Sequence, residues 1–132
     1  MRYLGIDYGT KHIGLALSDE VGDFAYPHTV LENKGILRAT ETIAALCKKE
    51  LVTVIVVGES KNYQGYDNNL MKEIHQFVSE LKEKTDIPIE FENETLTSAE
   101  AERIQGKSSL LDASAAALIL RTYLERQKRK SG

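Results

Sequence analysis

Residues 2–19 read RYLGIDYGTKHIGLALSD, and this stretch constrains the fold more than any other. Tyr3–Asp7 and His12–Ser18 read as two strands, and Gly9 and Thr10 between them leave room only for a tight turn, so an antiparallel hairpin is expected. In the second strand Ile13, Leu15 and Leu17 share one face while Gly14, Ala16 and Ser18 share the other. The small face lets another backbone come close. A third strand is expected over Phe24–Leu31, with Pro27 marking either a bulge or an edge position.

Helical spacing follows. Ile36, Ile43, Leu46 and Cys47 recur on one stripe between Gly35 and Glu50, and the β-branched run Val52–Val57 then predicts a strand buried on both faces. Asp67 or Asn68 caps a second helix whose inner stripe is Leu70, Ile74, Phe77 and Leu81, and Pro88 opens another strand, Ile87–Phe91. Thr97 and Glu100 form a capping-box pair for a short helix, and a long final helix is expected from Leu110 to Arg126. Strand, helix and strand in that order imply right-handed parallel crossovers. The whole predicts an α/β fold: a mixed five-stranded sheet, antiparallel in its first three strands and parallel afterwards, flanked by helices.

At 132 residues the chain has length for one core, taken as a single domain over residues 1–126 followed by a basic tail at 127–132. The tail reads as a nucleic-acid contact or as a frayed, solubilising end. No signal-peptide pattern opens the chain and no apolar run reaches membrane-spanning length, so a cytoplasmic protein without membrane contact is expected. Cys47 is the lone cysteine and lies in an apolar helical pattern, which suits core filling rather than nucleophilic chemistry. The net charge of −3 argues against a protein that coats nucleic acid by bulk attraction. Its distribution is uneven: residues 86–102 hold six acidic and no basic residues, and residues from Arg103 onward hold seven Lys or Arg against Asp112 and Glu125. That pattern suits a metal site beside a polyanion track, or equally a solvated loop and a solvated helix.

In an open sheet of this kind ligands sit beyond the carboxyl ends of the parallel strands. Asp7, Glu59 and the segment Glu92-Asn93-Glu94 end three strands, so several carboxylates are expected on one sheet edge. Asp112 shares a helical stripe with Ala116, Ile119 and Tyr123, which would aim it from the start of the last helix toward the strand ends. Each residue also has a structural reading: Asp7 as an Asx turn with the Gly9 amide, Asp112 as the partner of Ser109 in a capping box, and Glu94 as an exposed loop residue. Grouped carboxylates repel one another, and a hard divalent cation such as Mg²⁺ or Mn²⁺ removes that cost. Two such ions about 4 Å apart can activate water and stabilise the leaving oxygen of a phosphodiester, which is what a nuclease needs.

The segments GIDYGTKHIGLALSD, VVGESKNYQG, ENETLTSAEA and LLDASAAALIL together resemble the YqgF family, pre-16S rRNA nucleases related to Holliday-junction resolvases of the RNase H superfamily. The likeness spans nearly the whole chain. It implies an RNase H-like sheet with acidic residues on the first strand, after a later strand and on the last helix, which here match Asp7, Glu94 and Asp112. Asp-x-Gly-Thr alone is also found in sugar kinases and actin-like ATPases. The chain departs from the family pattern at Asn93-Glu94-Thr95, where Asp-Glu-Arg is usual, and at Gly58-Glu59-Ser60, where Gly-Leu-Pro or Gly-Phe-Pro is usual. The segment between Glu100 and Asp112 is also shorter than usual. Glu59 thereby brings an added carboxylate toward the site, as an extra ligand or a source of repulsion.

The resemblance implies a metal-dependent nuclease acting on structured RNA, in maturation of the 5′ end of pre-16S rRNA on the small ribosomal subunit precursor. Asp7, Glu94 and Asp112 would be both the catalytic residues and the ligands of one or two Mg²⁺ or Mn²⁺ ions, and Lys11, Lys61, Asn62 and Lys107 would contact phosphates. A resolvase acting on branched DNA is the alternative. A non-catalytic ribosome-assembly module is a further class, motivated by Glu59, Asn93 and Thr95. An actin-like ATP-binding domain is another, and length opposes it, because such proteins close two related domains over the nucleotide.

Overall fold

A computed structural model of the chain describes residues 1–59, 69–93 and 109–131. Its elements are β1 (Tyr3–Tyr8), β2 (His12–Ser18), β3 (Ala25–Glu32), α1 (Ile36–Glu50), β4 (Val54–Glu59), α2 (Asn69–Lys84), β5 (Ile89–Asn93) and α3 (Ser109–Ser131). The five strands form one sheet in the order β3-β2-β1-β4-β5. β1 pairs antiparallel with β2, and β2 with β3, whereas β4 runs parallel to both β1 and β5. This is the mixed sheet expected of the sequence, with β1 at its centre.

Alternation sorts the side chains into two layers. Leu4, Ile6, Tyr8, Ile13, Leu15, Ile55 and Val57 face one way and pack against Ile43 and Cys47 of α1 and Ile74, Phe77 and Leu81 of α2. On the other face Ala16, Val54 and Val56 meet Ala116, Ile119, Leu120 and Tyr123 of α3. The small-residue face of the hairpin therefore does receive a helix. A Cβ added at Gly5 would stand 2.8 Å from Leu120 Cβ and 2.9 Å from the Ala116 carbonyl oxygen, so only glycine lets α3 lie this close to β1.

The element limits differ from the expected ones for reasons visible in the backbone. β4 starts at Val54 rather than Val52, because Leu51 turns left-handed at φ 57° to end α1, and the Val52 amide donates to the Cys47 carbonyl. β5 starts at Ile89 rather than Ile87, since Pro88 has no N–H for the ladder and contributes only its carbonyl, to the Ile55 amide at 2.9 Å. Pro27 lies on the edge strand and beside a register shift, so both readings of it hold. α3 continues to Ser131, through most of the expected tail, in a run of good helix formers steadied by the Lys128–Asp23 ion pair at 3.3 Å. The cap at Asp67 or Asn68 and the short helix opened by Thr97 with Glu100 lie outside the described residues. No helix among the described residues is long and apolar enough to cross a membrane.

Candidate nuclease centre

Asp7 is the penultimate residue of β1, half-buried, between Ile6 and Tyr8. Those neighbours are buried in the α1/α2 layer, so alternation turns Asp7 to the α3 face, the side of Gly5. The turn that follows is held from outside. Asn33 donates through Nδ2 to the Gly9 carbonyl at 2.8 Å, and its amide donates to the Lys11 carbonyl at 2.9 Å. A Cβ at Gly9 would meet the His12 carbonyl oxygen at 2.6 Å, so glycine is required there as well. Asn33 is a site-supporting residue that the sequence pattern hides, because Glu-Asn-Lys-Gly reads simply as a loop.

On the opposite side of the sheet the Tyr8 hydroxyl donates to Glu73 Oε2 of α2 at 2.5 Å, and its ring packs on Phe77 with centroids 4.8 Å apart. Burial, aided by that hydrogen bond, pushes the Tyr8 hydroxyl up to about 12. The end of β1 is thus fixed on both flanks of Asp7.

Helix α3 runs antiparallel to β1. Tyr123 stacks near Tyr3, with centroids 5.8 Å apart, and Leu120 and Ala116 lie against Gly5. From Ala116 back to Asp112 is one helical turn of about 6 Å, and from Gly5 to Asp7 is a strand advance of about 6.6 Å. The two segments are matched in length and direction, so the first turn of α3, with Asp112 as its fourth residue, lies toward the Asp7 end of β1. Ala113 agrees independently, since it lines a groove with His12 and Val30 at that same end of the sheet.

The parallel strands bring further acidic residues to this level, with different employment. The β1–β4 register, carried one residue past Ile6↔Val57, sets Asp7 beside Gly58, and Gly58 pairs with Glu92. Glu92 is 4% exposed, and its Oε1 stands 2.6 Å from Arg126 Nη2, an ion pair that lies off the line of a hydrogen bond. Two residues earlier, Glu90 accepts a 2.6 Å hydrogen bond from the Tyr123 hydroxyl, whose pKa is raised by burial and by that carboxylate. Glu90 and Glu92 therefore anchor the C-terminal half of α3. Glu59 follows Val57 at an alternate position and so lies on the α1/α2 face, away from the face of Asp7.

Glu94, Lys61, Asn62, Lys107 and Thr95 lie outside the described residues, and Lys11 is exposed in the β1–β2 turn. Among the described residues no group of three potential metal ligands converges. The donor set Asp7, Glu94 and Asp112 is nonetheless all carboxylate oxygen, the chemistry that a hard divalent cation takes, and the lie of α3 brings the segments of two of the three together. Cys47 is buried in the opposite layer, where burial pushes its thiol up to about 12, so it is core and not a nucleophile.

Comparison with known proteins shows the family and the fold. A family model described as "RuvX: Holliday junction resolvase" matches residues 1–126. A relative from Syntrophomonas wolfei named "Putative pre-16S rRNA nuclease" is 35% identical over 133 residues, covering 95% of this chain and 94% of its own length. One of the same name from Clostridium kluyveri is 36% identical over 134 residues, covering 96% and 98%. Among solved structures, Thermus thermophilus RuvC in complex with a Holliday junction substrate aligns with a TM-score of 0.65 at 16% identity, over 97% of this chain and 96% of that one. That likeness shows the fold, the RNase H-like arrangement expected of the sequence. With the family model spanning almost the whole chain and relatives of its own length above one-third identity, the chain belongs to the RuvX family, also known as YqgF.

Proposed function

We propose that the chain is a metal-dependent nuclease that hydrolyses RNA phosphodiester bonds in the maturation of the 5′ end of pre-16S rRNA, acting in the cytoplasm on the small ribosomal subunit precursor. The observation that carries this reading is the antiparallel lie of α3 on β1, which turns the start of the helix toward Asp7. The names of the relatives supply the substrate.

In this reading Asp7, Glu94 and Asp112 hold one or two Mg²⁺ or Mn²⁺ ions. When bound, the metal supplies an activated water and charge stabilisation at the scissile phosphate. Asp7 contributes a carboxylate whose position is fixed by the β1 ladder and by the Tyr8–Glu73 bond. Lys11, Lys61, Asn62 and Lys107 would bind the flanking phosphates and hold the strand in line. The β5 carboxylates stay in their pairings with α3, so the charge at the site is carried by the three ligands.

The description of the family and the solved relative on a Holliday junction favour one second reading, cleavage of branched DNA. The test is incubation of the protein with an RNA spanning the precursor 5′ end and, separately, with a four-way DNA junction, each with Mg²⁺, Mn²⁺ or EDTA. Metal-dependent cleavage of the RNA supports the proposal, and cleavage of the junction alone transfers it to the second reading. Tight RNA binding with no cleavage under any metal would identify a non-catalytic assembly module instead.

A further inference from the structure

A groove of about 520 Å³ opens between the edge strand β3 and the start of α3, lined among others by His12, His28, Thr29, Glu32 and Ala113. Its shape comes from a bulge. Leu15 pairs with Thr29 and Ala16 with Pro27, so His28 is an extra residue in β3 with no partner position on β2. In a regular strand only alternate residues could line one groove, yet the consecutive residues 27–30 all do, because the bulge re-aims the chain there. The second imidazole comes from His12, which begins β2 and pairs across the sheet with Glu32. Both histidines are exposed, and Lys11 stands exposed beside His12. Glu32, the acidic member of the lining, has Lys34 3.8 Å away. The inner wall, Ala113, is the residue after Asp112.

His12 and His28 in the lining, with Lys11 beside it, carry N–H donors, and Glu32 is the acidic member of the lining; that donor chemistry suits phosphate oxygens. We propose that this groove holds the phosphodiester backbone of the substrate RNA on the β3 side of the cleavage site, with His12 and His28 donating to its phosphates. The inference rests on the nuclease reading and adds to it the path by which the strand leaves the site.

The experiment uses the full chain carrying Asp7→Asn, so that RNA is bound without being cut, and follows the imidazole signals by NMR. The chain has three histidines, and the third, His75, stacks on Phe91 from α2 and serves as an internal control. Titration with the precursor RNA should shift the His12 and His28 rings and leave His75 unmoved. His12→Ala combined with His28→Ala should raise the Kd for RNA about tenfold, as expected for the loss of two ordinary hydrogen bonds at an exposed surface. Lysine at both positions should restore binding and steepen its salt dependence, by about 0.7 in the log–log slope for each added phosphate contact. An unchanged Kd in the double alanine variant overturns the groove, as do ring signals that move with a four-way DNA junction and not with RNA. If the protein with Asp7 intact cleaves RNA while the groove variants bind normally, only the groove falls; if RNA is neither bound nor cut, the nuclease reading falls with it.

Discussion

Tyr8 donates a 2.5 Å hydrogen bond to Glu73, joining the last residue of β1 to α2 directly after the proposed ligand Asp7. Removing that hydroxyl in Tyr8→Phe keeps the ring on Phe77 and loses one bond to a carboxylate, at a cost of about 1.5 kcal/mol. Urea unfolding should register that loss. Because Asp7 is the adjacent residue, cleavage should slow in the same variant with little change in KM.

Gly5→Ala tests the packing that brings α3 to the site. The new methyl would meet Leu120 Cβ at 2.8 Å and the Ala116 carbonyl at 2.9 Å, and neither is the end of a flexible side chain. The helix must move away, with a stability loss of about 1–3 kcal/mol, and the start of α3 moves with it. Denaturation and cleavage should therefore both suffer, and a fully stable variant with unchanged activity would show that the contact does not hold the site.

Arg126→Met leaves the Glu92 carboxylate buried beside an apolar chain. Breaking a fully buried pair costs about 3–5 kcal/mol, and since Arg126 is half exposed the expected loss is about 2 kcal/mol. Glu92→Gln in the same background removes the buried charge and should recover part of the loss, which a double-mutant cycle in urea measures.

Stability should fall on the alkaline side. The Cys47 thiol, raised to about 12 by burial, ionises in the unfolded chain near its ordinary value of about 8.5. The unfolded state therefore binds fewer protons than the native state above that value, so this stabilisation is complete below it and is lost progressively as pH climbs toward the native value. Urea midpoints at neutral pH and one unit above the free-thiol value should differ in the parent protein and differ less in Cys47→Ala.

Much of the fold was legible because local pattern and tertiary environment agreed. Ile13, Leu15 and Leu17 alternate as they pack, and Ile74, Phe77 and Leu81 recur at the helical period that buries them. Strand ends were misplaced where backbone chemistry outweighed side-chain preference: Val52 is β-branched, yet its amide is taken by the cap of α1, and Ile87 precedes a residue that cannot donate. At the site, the place of Asp7 at the end of the first strand was legible, and its facing emerged only with the burial of Ile6 and Tyr8 in the α1/α2 layer. The anchoring roles of Glu90 and Glu92 did not, because their partners Tyr123 and Arg126 are more than thirty residues away and only the packing of α3 brings them together. Glu59 looked like a neighbour of Asp7 when only strand ends were counted, and the pleat put it on the other face.

The central claim is that the end of β1 and the start of α3 form one catalytic centre, and the most direct measurement is RNA cleavage by Asp7→Asn, Asp112→Asn and the double variant. Residues that act as a unit are non-additive, so each single substitution should bring metal-dependent cleavage down to background and the double should be no slower. Cleavage by Asp112→Asn at the parent rate, or a double variant whose loss is the product of the two singles, would contradict it.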